Sequence, residues 1–134
     1  MTFRPAAMDD FAAICQRDHH VAAEVLREKI TRCEVFAAYD GEVFAGWLRY
    51  SLFWDNTPFL NMLFLLPEYR GKGLGRAFTR YWEGEMKALG HRVLLTSAQQ
   101  NESAQHFYTA LGYQSIGGFV LPGEPLEIVF RKEL

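Results

Sequence analysis

At 134 residues the chain has the length of one domain and no room for a second core. Apolar residues make up 49% of it and aromatics 15%, which sets it apart from disordered chains and supplies a dense interior. The formal net charge of −2 provides no global positive field to neutralise a nucleic-acid backbone, so duplex binding is not expected.

The opening Thr2-Phe3-Arg4-Pro5 reads as a short strand, and a helix follows from about Asp9, where the pair Asp9-Asp10 favours an amino end. A second helix, 21–32, is rich in Ala, Glu and Leu and is separated from the first by Arg17-Asp18-His19-His20. From Cys33 the period becomes that of strands. Segments 33–39 and 42–53 flank Asp40-Gly41, a dipeptide suited to a tight hairpin turn, and should pair antiparallel. Cys15 and Cys33 lack a CxxC pattern or a histidine at ligand spacing, so two buried free thiols are expected and no metal site.

A third strand, 58–66, is apolar on both faces and belongs in the middle of a sheet. It contains the longest apolar run, 60–66, interrupted by Asn61 and too short for a signal peptide or a membrane span. A soluble cytoplasmic protein with no membrane association is therefore expected. After a glycine-rich turn a helix runs to about Leu89. Its apolar stripe is Leu74, Ala77, Phe78, Tyr81, Trp82, Ala88 and Leu89, with Glu85 inside the stripe and Arg76, Arg80, Glu83 and Lys87 opposite.

Gly90 suits a left-handed helix cap, and 91–97 reads as a strand. A helix follows over 101–111, opened by Asn101-Glu102-Ser103 and closed by Gly112. Segments 113–121 and 126–131, joined by Pro122-Gly123-Glu124-Pro125, make a closing hairpin. The order βααβββαβαββ, or one strand fewer, describes a single α+β domain over 1–134: a mixed, mostly antiparallel sheet of six to seven strands with helices on both faces.

The turn Arg70-Gly71-Lys72-Gly73-Leu74-Gly75-Arg76 carries the chemistry. A P-loop needs GxxxxGK and a following Ser or Thr, and neither the spacing nor the hydroxyl is present. The dinucleotide fingerprint needs GxGxxG in a longer βαβαβ frame. A pyrophosphate cradle fits better. Glycines let the backbone approach the ligand, the next helix offers its unpaired N–H groups, and Arg70, Lys72 and Arg76 add charge. The alternative is a strand-to-helix turn that binds nothing.

With Leu63-Phe64-Leu65-Leu66-Pro67 before it, this turn resembles the acetyl-CoA signature Gln/Arg-x-x-Gly-x-Gly/Ala of the GCN5-related N-acetyltransferases. About thirty residues on, Asn101, Ala104, Phe107-Tyr108 and Leu111-Gly112-Tyr113 resemble that family's second motif, and the likeness extends over essentially the whole chain. Taken alone, Asn101 reads equally as a helix cap, and Tyr108 as a core aromatic with a bonded hydroxyl.

The resemblance implies the acyl-CoA N-acyltransferase fold, with acetyl-CoA as acyl donor and no metal. It implies transfer to a primary amine of a small molecule or peptide by direct attack, through a tetrahedral intermediate. On this reading Leu63, Leu65, Arg70, Gly71, Lys72, Gly73, Leu74, Gly75, Arg76, Asn101 and Tyr108 contact the donor. A bulge frees the Leu65 amide to polarise the thioester carbonyl, and Tyr108 donates a proton to the leaving thiolate. A thiol has an ordinary pKa of about 8.5 and a phenol about 10, so the phenol can serve as that donor.

The base is less legible. The only polar residue within the central strand is Asn61, which cannot take a proton. Water held by Asn61, Thr96 or Ser97 is one route, and Asp55 and Glu124 are remoter carboxylates. The loop after the first helix and the final hairpin should shape the acceptor side, through Asp18, His19, His20, Phe119, Glu124 and Glu127. A non-catalytic acyl-CoA-binding module stands as the alternative, and exposed aromatics such as Trp54 and Phe59 offer a homodimer surface.

Overall fold

The computed structural model describes residues 1–134. The elements follow the expected order: β1 (Thr2–Pro5), α1 (Phe11–Cys15), α2 (Ala23–Thr31), β2 (Val35–Asp40), β3 (Val43–Phe53), β4 (Thr57–Leu65), α3 (Leu74–Ala88), β5 (Val93–Gln99), α4 (Ala104–Ala110), β6 (Gln114–Phe119) and β7 (Glu127–Glu133). The seven strands hydrogen-bond in the order β1-β2-β3-β4-β5-β7-β6. Pairs β1–β2, β2–β3, β5–β7 and β6–β7 are antiparallel and β4–β5 is parallel, which makes the sheet mixed and mostly antiparallel. The parallel ladder holds two residue pairs, Phe59 with Leu95 and Leu60 with Thr96. No helix is long and apolar enough to cross a membrane.

The chain forms two compact units, Met1–Tyr50 with Met62–Tyr81, and Ser51–Asn61 with Trp82–Leu134. In the first, strand alternation puts helices on both faces of β2. Val35 and Ala37 join Ile14, Leu26, Ile30 and Trp47 in a core against α1 and α2. Phe36, one residue along, meets Tyr81 of α3 edge-on at 5.5 Å, and Phe3 stacks on Phe78 at 4.6 Å. Full burial of a side chain of the size of Leu26, Ile30 or Phe36 contributes roughly 1.5–3 kcal/mol. The β2–β3 hairpin turns one residue later than expected: Asp40 pairs with Val43, and Gly41, at φ 61°, leads the two-residue loop.

In the second unit, Leu94, Leu95, Ala98, Tyr108, Leu111, Tyr113 and Phe130 are buried, together with Trp82 and Met86 from the second half of α3. Tyr108 packs against Tyr113 at 5.6 Å and Phe130 at 6.3 Å. Gly90 and Gly112, at φ 94° and 93°, close α3 and α4 as left-handed caps.

Three expectations are corrected. The buried face of α3 is Phe78, Thr79, Trp82, Glu83 and Met86, whereas Ala77, Ala88 and Leu89 are exposed. Glu83 is tolerated inside because it accepts from the Tyr113 hydroxyl at 2.9 Å and pairs with Lys132 at 3.0 Å. Cys33 is exposed and Cys15 only partly buried. Cys33 stands just past α2 at φ 59°, with its N–H on Ile30 O and that of Glu34 on Lys29 O, which is a helix-capping turn rather than a core position. Asn101 lies outside α4, in a turn where the Gln99 N–H donates to the Glu102 carboxylate at 3.0 Å, so α4 begins at Ala104 and Asn101 does not cap it.

Candidate active site

The glycine-rich turn is built as a string of exposed amides. Gly71 and Gly73 have φ of 73° and 80°, a conformation that side chains rarely adopt, and open space surrounds the positions where their Cβ atoms would lie. The first α3 bond runs from Ala77 N–H to Gly73 O, so the N–H groups of Leu74, Gly75 and Arg76 have no acceptor within the helix. Gly75 is therefore helical, and the left-handed geometry belongs to the first two glycines. Lys72 and Arg76 are exposed beside them.

Arg70 has another task. Its Nε donates to Leu65 O at 2.8 Å and its guanidinium lies 4.9 Å from the Phe64 ring centre, so it braces the end of β4 against the turn. Gly46 of β3 was not singled out from the sequence, although a glycine inside a strand pattern signals close backbone approach. A Cβ there would stand 2.2 Å from Phe64 O and 3.0 Å from Leu65 Cα. The Leu66 N–H donates to Ala45 O at 2.8 Å, fixing the same stretch. Leu65 is buried and Leu63 is partly exposed.

In the second unit Tyr108 is 7% exposed. Burial pushes its phenol above the ordinary value; a hydrogen bond with the Thr96 hydroxyl opposes this, and the Glu102 carboxylate adds to it. Thr96 in turn donates to Leu60 O at 3.0 Å, at the last pair of the parallel ladder. Tyr108 is thus held protonated at neutral pH with its hydroxyl oriented.

A cleft of about 540 Å³ opens in this unit, lined by Ser51, Leu52, Phe53, Trp54, Phe59, Asn61, Ser97, Phe119, Leu121 and Glu127. Asn61 and Ser97, which the sequence offers as holders of a water, both line it. Asn61 Nδ2 donates to Ser51 Oγ at 2.8 Å, which leaves its carbonyl oxygen as an acceptor. Glu124 is not in the lining; its carboxylate accepts from Gln99 Nε2 at 3.1 Å. The carboxylate in the cleft is Glu127, which pairs in register with Phe119 across the closing hairpin.

Asp18 is buried and offers no free carboxylate. Arg49 Nε and Nη2 donate to it at 2.6 and 3.2 Å, Trp47 Nε1 at 3.1 Å, and the His20 N–H at 3.1 Å. No group of three or more His, Cys, Asp or Glu side chains is arranged to hold a metal ion.

The family model for the acetyltransferase (GNAT) family matches residues 4–113. The chain belongs to the GNAT acetyltransferase family. No curated protein has a significantly similar sequence. Among solved structures, the NatC complex bound to Gag peptide and CoA contains a chain with TM-score 0.82 and 14% identity, covering 99% of this chain and 98% of that one. The PaiA N-acetyltransferase from Thermoplasma acidophilum in complex with coenzyme A gives 0.81 and 17%, over 99% and 98%. The ribosomal-protein-S18-alanine N-acetyltransferase from Escherichia coli gives 0.78 and 19%, over 98% and 92%. At these identities the likeness is one of fold, and the seven-stranded sheet with its four helices is the GNAT acyl-CoA N-acyltransferase fold. Phe119, Leu121 and Glu127 lie beyond residues 4–113, the span that the GNAT model matches.

Proposed function

We propose that residues 1–134 form one N-acetyltransferase domain that moves the acetyl group of acetyl-CoA to a primary amine by direct attack. Acetyl-CoA acts here as a substrate, the acyl donor. The observation that carries this reading is the turn before α3, whose left-handed Gly71 and Gly73 and open N–H groups fit a pyrophosphate. The CoA held in two structures of the same fold, one of them named an N-acetyltransferase, and the N-acetyltransferase name of a third support it.

Amides 71–76 take the pyrophosphate, with Lys72 and Arg76 supplying charge and Arg70 holding the turn to Leu65. Leu63, Leu74 and Asn101 flank the rest of the donor. The Leu65 N–H polarises the thioester carbonyl; a single oriented donor to an oxyanion is worth about 3–4 kcal/mol in other enzymes. The amine nitrogen bonds to the carbonyl carbon, giving a tetrahedral intermediate, and the C–S bond then breaks. Tyr108 gives its proton to the departing sulfur, and the phenol is restored from the proton that the attacking nitrogen sheds. Its raised pKa keeps that proton in place at neutral pH.

Mixing the protein with acetyl-CoA and an amine panel and following free thiol tests the reading. Tyr108→Phe should lower kcat by about a hundredfold or more while leaving the KM for acetyl-CoA within a small factor. Lys72→Ala should mainly raise that KM. Tight CoA binding without thiol release from any amine, and no effect of Tyr108→Phe, would replace the enzyme by an acyl-CoA-binding module.

A further inference from the structure

Trp54 occupies a backbone position that its side chain disfavours. It and Asp55 have φ of 56° and 63°, and the Asn56 N–H donates to Phe53 O at 3.2 Å, so the pair forms the centre of a turn normally given to Asn and Gly. Burial does not explain the choice, because the indole is 80% exposed. It rests on Phe53, ring centres 4.9 Å apart, and Phe53 faces Phe59 at 6.3 Å. A strained, exposed tryptophan kept at the rim of a cleft points to a ligand.

The rest of the cleft says which. It is an open groove of about 540 Å³. Its lining is mostly aromatic or aliphatic, its polar members are the hydrogen-bonded Ser51–Asn61 pair and Ser97, and its one carboxylate, Glu127, makes no ion pair or side-chain hydrogen bond within the protein. An unneutralised carboxylate among aromatic faces complements one cation on an apolar body, and the rings add cation–π attraction. A polyamine or amino-sugar would spread several ammonium groups over walls that offer one partner.

We infer that the acceptor is a monocationic primary amine carried on an aromatic or branched apolar body. Its ammonium is directed to Glu127, and its body lies against Trp54, Phe53 and Phe119. This rests on the N-acetyltransferase reading above. The ammonium gives one proton to Glu127 and thence to water. The neutral nitrogen attacks the thioester carbon and sheds its second proton as the C–S bond breaks. The products are the amide, free CoA thiol and one proton in solution.

The experiment compares β-phenylethylamine with spermidine, kanamycin and a lysine peptide as acceptors at saturating acetyl-CoA. β-Phenylethylamine should give the highest kcat/KM. Trp54→Gly should raise its KM by about tenfold while leaving the thermal midpoint unchanged or higher, since the strain is relieved. Glu127→Gln should raise the same KM. Binding is read separately with free CoA present, by quenching of Trp54 fluorescence; Trp47 and Trp82 are fully buried and should not respond.

Faster turnover of spermidine, kanamycin or the peptide would overturn the acceptor assignment and leave the enzyme reading standing. No thiol from any amine, with quenching by β-phenylethylamine intact, would keep the ligand and remove the enzyme. A dimer in sedimentation that Trp54→Gly dissociates, without quenching by the amine, would give the apolar rim to a second copy and overturn the proposal.

Discussion

Two residues in left-handed backbone have opposite reasons to be there. Trp54 lines the cleft, whereas Cys33 ends α2 and is exposed. A non-glycine residue at such a position costs about 1–2 kcal/mol, and glycine returns roughly 0.5–1 kcal/mol of that through the entropy of the unfolded chain. Cys33→Gly should therefore stabilise the protein by about 0.5–1 kcal/mol, seen as a higher urea midpoint at constant slope. A lower midpoint would mean that the thiol makes a contact worth more than the strain. The sequence points to a buried free thiol at Cys33, because nothing in its type announces the φ that the cap demands.

At the scale of elements, the segment joining α1 to α2 is anchored by a buried ion pair. Asp18 collects two bonds from Arg49, one from Trp47 and one from the His20 N–H, and both charges are almost wholly removed from water. Asp18→Ala would leave Arg49 buried without its partner, a change that costs about 3–5 kcal/mol. Chemical denaturation should show that loss, and thiol-release kinetics on the protein that remains folded should change little. A loss under 1 kcal/mol would mean that water reaches Arg49. Reading Asp18 as a substrate-facing acid went wrong for a physical reason: a carboxylate in a loop is usually solvated, and only the fold brings Arg49 and Trp47 of β3 to it. Local geometry was more legible. The left-handed glycines of the turn and the caps at Gly90 and Gly112 follow from residue type and position alone. Gly46 is an intermediate case, visible as a break in a strand pattern but not assignable to the backbone at Phe64–Leu65 without the sheet.

For the whole molecule, the element order was readable because hydrophobic period and turn residues agree along the chain, and strand alternation in β2 explains why both of its faces are covered. Long-range polar pairing was not readable, and it moved Glu83 from the solvent face of α3 to the interior and fixed Asp10 and Asp18. Those two aspartates should also steepen the loss of stability in acid. Burial alone would raise the Asp10 carboxyl, but Arg4, Tyr39 and the Ala7 N–H hold it below the ordinary 3.8. Burial likewise opposes, and Arg49, the His20 N–H and Trp47 outweigh, for Asp18. The native state therefore binds fewer protons than the unfolded chain just below that value, and stability rises with pH there. Their contribution is fully present above the unfolded pKa of about 3.9 and is lost as pH falls through the lower native values. Urea melts from pH 7 to pH 2 should show stability nearly flat to about pH 5 and then falling steeply. Asp10→Asn with Asp18→Asn should be less stable at pH 7 and show a shallower fall below pH 4, because two of the groups that must be protonated are gone. Equal slopes in the two proteins would assign the acid limit to other carboxylates.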